Sequence, residues 1–379
     1  VSVTTAANAA YLEVLQPIID TVIAPTAIEI DNTGTYPRAA LTALGEAGLL
    51  GLVSAPEIGG MGEGPRAAAY VVERIARNCA STAMVVCMHY AGAAVAEAHG
   101  SEATRKDIAA GRAIATLAFS EAGSRSHFWA PVSTATADRS GVRLDAHKSW
   151  VTSAGQADLY IWSSKPLAGE GMSTIWMVPA KSAGLRVLGP FDGLGLRGNA
   201  SSPIEAVGVT VPVDAMLGED GGGFGVMMGI VLPYFQLMSA GMCLGTMEAA
   251  TEKTAAHASG TQFAHLGTPL ADLPTIRANI ARMRVKTDLV RGLFEDTLAA
   301  MEGGRADTML RVLEIKAAAG EASTEVTDLA MRACGGAAFR KEVGVERNFR
   351  DARAATVMAP TTDVLYDFIG KAVCGMPLF

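Results

Sequence analysis

The apolar pattern of this chain changes period twice, and that double switch limits what it can fold into. Residues up to about 112 are alanine-rich and helical in period, broken at glycine-bearing turns such as Ile58-Gly59-Gly60-Met61-Gly62. Pro65 stands where a first helical turn tolerates proline, and the helix it opens runs toward Asn78. Ser101 is placed to cap a later helix, with Glu102 near its positive end. Between them, Ala80 to Ala98 is nearly all apolar or small, which predicts a helix buried on most sides. From 113 the pattern becomes short β-rich runs: Ala113 to Phe119, Val132 to Ala137, Leu159 to Ser163, Thr174 to Val178 and Val207 to Val211. After Gly221 long helices return, over roughly 225–257, 271–302 and 306–335, joined by short glycine-bearing links that suit an antiparallel bundle. The expected organisation is a helical region 1–112, a β region 113–220 and a second helical region 221–379, an α+β chain.

A chain of 379 residues, 50% hydrophobic and 18% charged, exceeds what one core usually serves, so two or three subdomains are expected. A net charge of -7 gives no electrostatic reason to expect nucleic acid or an anionic membrane as partner. The five cysteines (Cys79, Cys87, Cys243, Cys334, Cys374) are scattered and never form C-x-x-C, which argues against a disulfide framework or structural zinc and suits a reducing cytoplasm. No basic segment followed by an apolar run and a cleavage site opens the sequence, so no secretory signal is expected. The 27 uncharged residues from Gly221 to Met247 are long enough to span a bilayer. They contain three leading glycines, Pro233 and Gln236 and lack flanking basic residues, so they read as a loop and a buried helix. No strand is followed by G-x-G-x-x-G, since Gly221-Gly222-Gly223-Phe224-Gly225 follows an acidic loop; P-loop, H-E-x-x-H and EF-hand spacings are absent, which leaves no dedicated metal site.

Three segments carry a resemblance. Ala118-Phe119-Ser120-Glu121-Ala122-Gly123-Ser124-Arg125-Ser126 is similar to T-E-P-G-x-G-S-D, with alanine for proline and His127 for the final aspartate. Lys148-Ser149-Trp150-Val151-Thr152 resembles K-x-W-I-T, and Arg350-Asp351-Ala352-Arg353 resembles R-D-A-K. These are the signatures of acyl-CoA dehydrogenases, and the likeness covers essentially the whole chain. It implies an N-terminal helical domain, a middle β-barrel domain, a C-terminal four-helix bundle, bound FAD, and a homotetramer built as a dimer of dimers. It also implies that Phe119, Ser120, Gly123 and Ser126 contact the flavin ring, where donors stabilise charge on the reduced pyrimidine. The resemblance further implies that Trp150 packs beside the isoalloxazine and that the Thr152 hydroxyl reaches its N5, which strand alternation would allow by placing the two on one face. Gln262-Phe263 resembles the end of R-x-Q-F-G, which reaches a neighbouring subunit's flavin, but Gly260 replaces the arginine. Arg332, just before Cys334-Gly335-Gly336, is placed to restore that charge against the pyrophosphate. Thr361 and Asp363 match positions that touch the dinucleotide, beside Pro360, which restricts the turn and removes an N–H.

The family's catalytic carboxylate is missing. After R-D-A-K and five residues the family reads E-G-T, whereas here Ala354 to Met358 lead into Ala359-Pro360-Thr361. A general base contributes about 100- to 10,000-fold to rate, so its loss is consequential. The alternative glutamate position on the helix after the β domain is Phe235, and Gln236 replaces a frequent arginine; both, with Ser126 and His127, are expected near substrate. His89, on the helix that lines the acyl cavity in relatives, is one candidate proton acceptor, and Tyr234 is another despite an ordinary phenol pKa of about 10. The resemblance therefore implies a flavoprotein acting on a CoA thioester or similar substrate. Loss of both base positions favours oxygenase or oxidase chemistry with molecular oxygen over dehydrogenation by an unusual base with an electron-transfer partner. Retained Ser120, Trp150 and Thr152 speak against a non-catalytic flavin-binding or assembly protein.

Overall fold

The computed structural model describes residues 9–139 and 141–378; residues 1–8 of the expected helical region, Ser140 of the β region and Phe379 lie outside it. The first region holds α1 (Ala10–Ile18), which passes through a π turn into α2 (Ala24–Thr33), then α3 (Arg38–Glu46), α4 (Pro65–Ala76), α5 (Ala80–His99) and α6 (Glu102–Ala109). Pro65 opens α4, and Ser101 Oγ accepts from the Thr104 N–H at 3.2 Å to cap α6. α5 is buried along most of its length because its residues are small and apolar on every face.

The middle region folds as β1 (Ala115–Ala118), β2 (Thr134–Asp138), β3 (Gly141–Val151), β4 (Leu159–Ser164), β5 (Thr174–Pro179), β6 (Leu185–Val187) and β7 (Ser202–Val211). One sheet has the order β1-β4-β5, parallel then antiparallel; the other is antiparallel, β2-β3-β7-β6. Trp162 and Trp176 face each other across β4 and β5, both fully buried, and the Trp176 indole N–H donates to Ser164 Oγ at 2.8 Å. Three of the four tryptophans of this region, Trp129, Trp162 and Trp176, are thus buried, and a flat ligand is left only Trp150. The first half of β3 is absent from the expected strands because buried Val142, Leu144 and Ala146 alternate with Arg143, Asp145 and His147, a half-solvated pattern without a β-branched cluster.

The last region has α7 (Gly223–Val226), a π turn, α8 (Leu232–Gly260), the hairpin β8 (Gln262–Phe263) and β9 (Thr268–Pro269), α9 (Pro274–Glu302), α10 (Thr308–Cys334), α11 (Val345–Ala352), α12 (Ala354–Val357) and α13 (Thr362–Val373). The stretch Gly223–Gly260 is long and apolar enough to cross a membrane, yet its most apolar window is 72% buried within the protein, packed by α4, α5, α9, α10 and α11. α8 meets α4 closely: a Cβ at Gly245 would lie 2.3 Å from the Glu73 carbonyl oxygen.

Arg350 and Asp351 fasten all three regions together immediately upstream of Ala359. The Arg350 guanidinium grips Asp31 of α2 with two bonds of 2.9 and 2.6 Å, and Asp351 Oδ1 accepts from the Leu196 N–H at 2.7 Å. Burial pushes the Asp351 carboxyl up to about 6 against that hydrogen bond. Gly195 permits the approach, since a Cβ there would lie 2.5 Å from the Arg350 oxygen and 2.8 Å from the Asp351 nitrogen. Both are backbone atoms that cannot rotate away. Gly195→Ala is therefore expected to cost about 1–3 kcal/mol, read as a lower denaturant midpoint. An unchanged midpoint would show that the loop is looser than described.

Candidate active site

The signature after β1 and the tryptophan-bearing end of β3 are held together by one buried ion pair. Lys148 Nζ donates to Glu121 Oε1 at 2.5 Å, to the Ser163 carbonyl at 2.7 Å and to Ser163 Oγ at 2.9 Å. Glu121 also accepts from the N–H groups of Val132 and Ser133 and from Ser133 Oγ. Burial alone would raise the Glu121 carboxyl, but Lys148 and these donors hold it below its usual value. Burial pulls the Lys148 ammonium down to about 8, with Glu121 resisting. Beside the pair, the Ser149 N–H donates to the Ser120 oxygen at 2.8 Å, so Ser120 and Trp150 stand at the end of one backbone pairing.

The expected strand face shared by Trp150 and Thr152 is interrupted. The register slips between Lys148 and Val151, Trp150 has a left-handed φ of 56°, and its indole is 69% exposed while Thr152 is buried. Thr152 Oγ1 instead shares a hydrogen bond of 3.1 Å with Ser201 Oγ. Phe119 is corrected in the same way. Its ring is buried and stacks on Phe128 at 6.5 Å, which leaves its backbone as the part able to meet a ligand. Gly123 and His127 are exposed, the latter 5.1 Å ring to ring from Trp129, and Ser124 Oγ is buried without a protein partner. Ser126 Oγ accepts from the Thr361 N–H at 3.0 Å, which brings the signature loop to the turn that carries Ala359; Asp363 lies exposed in the first turn of α13.

Both candidate bases are corrected by their surroundings. His89 is fully buried, with Nε2 2.9 Å from the Leu50 oxygen and Nδ1 accepting from the Ala115 N–H at 3.2 Å. Neither nitrogen is free to take a proton, and burial lowers its pKa to about 4 against those bonds. Tyr234 is half-buried, and burial pushes its phenol up to about 12, so phenolate is scarcer than in water. Gln236 is fully buried, and its amide nitrogen and oxygen both lack partners.

A residue absent from those expectations stands at the turn of Ala359. Lys316 of α10, 1% exposed, donates to the carbonyls of Met358 at 2.9 Å and Pro360 at 2.7 Å, the two that bracket Ala359. Its Nζ lies 5.9 Å from the centroid of the Phe235 ring. Pro360 also lines an apolar cavity of about 70 Å³, together with residues including Trp129, Leu313 and Phe368. Burial lowers the Lys316 ammonium to about 7. Its sequence signal was a single lysine three residues after Leu313 and four before Gly320, on the buried face of α10.

Gln262 and Phe263 form the short hairpin strand β8 at the end of α8, and Arg332 sits exposed in the last turn of α10. Gly335 has φ 58° and ψ −139°, and a Cβ on it or on Gly336 would meet nothing within 4 Å. Among the described residues no hydrogen bond, ion pair or ring contact joins these five to Ser120, Trp150 or Thr152. The donor set fits a flavin dinucleotide: an exposed indole, an unpartnered serine oxygen in the signature loop, and a guanidinium beside an open glycine pair.

Helix, sheet and helix around such a site define a flavin-dependent oxidoreductase. Residues 5–113, 116–209 and 221–374 match the acyl-CoA dehydrogenase N-terminal, middle and C-terminal domains. The chain is 28% identical over 350 residues to the mitochondrial short-chain specific acyl-CoA dehydrogenase of Bos taurus, covering 90% of this chain and 83% of the relative. It is 28% identical over 341 residues to the glutaryl-CoA dehydrogenase of Desulfococcus multivorans, covering 87% of each. The solved glutaryl-coenzyme A dehydrogenase in complex with glutaryl-CoA superposes with a TM-score of 0.90 at 25% identity, over 98% of this chain and 97% of that one. The chain belongs to the acyl-CoA dehydrogenase family, whose members are FAD-dependent oxidoreductases.

His89 also gives the fold an acid sensitivity. Its folded pKa of about 4 lies below the ordinary 6.5, so as pH falls the unfolded chain takes up the proton first. The stability it contributes is fully present above about 6.5 and is lost progressively toward 4, by up to about 3 kcal/mol. His89→Gln should flatten that part of the pH dependence in denaturant titrations. An identical acid slope in the variant would assign the sensitivity elsewhere.

Proposed function

We propose that this protein oxidises an acyl-CoA or a similar acyl thioester, with a group other than a carboxylate handling the substrate's proton. The observation that carries this reading is alanine at 359 and phenylalanine at 235, with one buried amine bonded to the carbonyls on either side of Ala359 and 5.9 Å from the Phe235 ring. FAD supplies the two-electron acceptor when bound. The protein's part is to hold the ring through the Ser120 and Trp150 segment, to exclude water around Pro360 and Phe368, and to place the thioester against the turn at Ala359. The named substrates of the relatives support the thioester class.

Two chemistries remain within that reading. Vacant carboxylate positions alone favour oxygenase or oxidase chemistry, in which oxygen is a second substrate and a base is optional. The buried amine favours α,β-desaturation, and we take the latter as the better supported. Anaerobic mixing with acyl-CoAs of graded length should then bleach the flavin absorbance. No bleaching, together with oxygen uptake and oxygen insertion once the flavin is chemically reduced, would establish the oxygenase reading instead. Silence in both assays would point to a flavin-binding protein without catalysis.

Gln262, Phe263, Arg332, Gly335 and Gly336 serve, in this reading, the flavin of a second copy in a homotetramer arranged as a dimer of dimers. Arg332 supplies the phosphate-facing charge that Gly260 lacks. Arg332→Ala is expected to weaken FAD binding about 10- to 100-fold, measured by reconstituting the apoprotein, as loss of a charge-assisted hydrogen bond of roughly 1.5–3 kcal/mol predicts. Unchanged affinity would remove Arg332 from the site.

A further inference from the structure

The position emptied of its carboxylate is not emptied of titratable chemistry. Lys316 has no carboxylate partner among the described residues, and its nitrogen is tied to the two backbone oxygens on either side of Ala359. Those two bonds occupy two of the three N–H positions of an ammonium. The remaining tetrahedral position has no protein partner among the described residues. On a neutral amine that position is a lone pair. The Phe235 ring lies 5.9 Å from the same nitrogen, and Ala359 lacks the –CH2–COO⁻ extension of a glutamate.

We propose that Lys316 is the proton acceptor of this site, in place of carboxylates at 359 and 235. This deepens the reading above and rests on it for the thioester substrate. In the step, the thioester's Cα–H bond breaks, its proton joins the Nζ lone pair, and the bonding electrons stay on the substrate as an enolate. The amine becomes an ammonium with three N–H bonds, two of them already made to Met358 and Pro360. The step is redox-neutral and reversible, so it can be observed apart from oxidation. The ionisable side chain that acts on Lys316 across the packing is Cys243 of α8; burial pushes its thiol to about 12, leaving it uncharged at neutral pH. The turn between α12 and α13 contributes the Met358 and Pro360 carbonyls. Burial of the amine itself lowers its pKa to about 7, where a general base works well.

The test uses the flavin-loaded protein in anaerobic D2O with butyryl-, octanoyl- and glutaryl-CoA, following deuterium entry at Cα by mass spectrometry. The parent chain should catalyse exchange that rises with pH through about 7 and then levels. Lys316→Arg keeps donors for both carbonyls but stays protonated, and should lower exchange about 100-fold or more with flavin content and melting retained. Should that variant fold poorly, Lys316→Ala supplemented with ethylamine should recover exchange in proportion to the free amine, which a purely structural lysine would not allow. Exchange in Lys316→Arg within about threefold of the parent would overturn the assignment. So would absence of exchange in the parent, and acyl-CoA bleaching of the flavin in the same samples would then show separately whether the thioester reading survives.

Discussion

Burying an ammonium costs several kcal/mol unless charge or hydrogen bonds replace its water, and this constraint shapes both halves of the site. Among the described residues two lysines are fully buried, Lys148 and Lys316. Lys148 meets the cost with the Glu121 carboxylate and two oxygens of Ser163, and in doing so it joins two segments 27 residues apart in sequence. The indole of Trp150 is held out from that joint. Lys316 has only carbonyls, which stabilise the ammonium less than a carboxylate would. Its proton is correspondingly loosely held, and it lies at the turn that carries Ala359.

The three regions are joined around that turn rather than merely adjacent to it. Arg350 reaches back to Asp31, Asp351 holds the Leu196 amide, and Ser126 Oγ accepts from the Thr361 amide. These contacts come from each region in turn and converge within a dozen residues of Ala359. The conspicuous charged motif Arg350-Asp351-Ala352-Arg353 thus serves position more than chemistry. With alanine at position 359 these contacts are all in place.

Much of the fold was legible because its punctuation is local. Pro65 and Ser101 mark helix starts by chemistry that acts within one turn, α9 and α10 each carry apolar periodicity over more than 25 residues, and the first half of α8 is an uncharged apolar run. The first half of β3 was hidden because its charged residues are solvated on one face, and Trp150 defied strand alternation because a bulge and a left-handed φ turn it outward. At the site, motif likeness located the segments but not their pairings. His89 looked like a base until the Leu50 oxygen and the Ala115 amide were seen to hold both nitrogens. Lys316 was legible only as a charge on the wrong face of a helix; that it touches Met358 and Pro360, more than 40 residues on, is a fact of tertiary structure.

The central claim is that an amine, held near neutrality by burial, replaces the carboxylate of this family. Its most direct test is the titration of Lys316 itself, by NMR of protein labelled at lysine Cε, with the resonance assigned by its disappearance in Lys316→Arg. The account predicts a midpoint near 7. A Lys316 that titrates near the ordinary value of about 10.4 would contradict it.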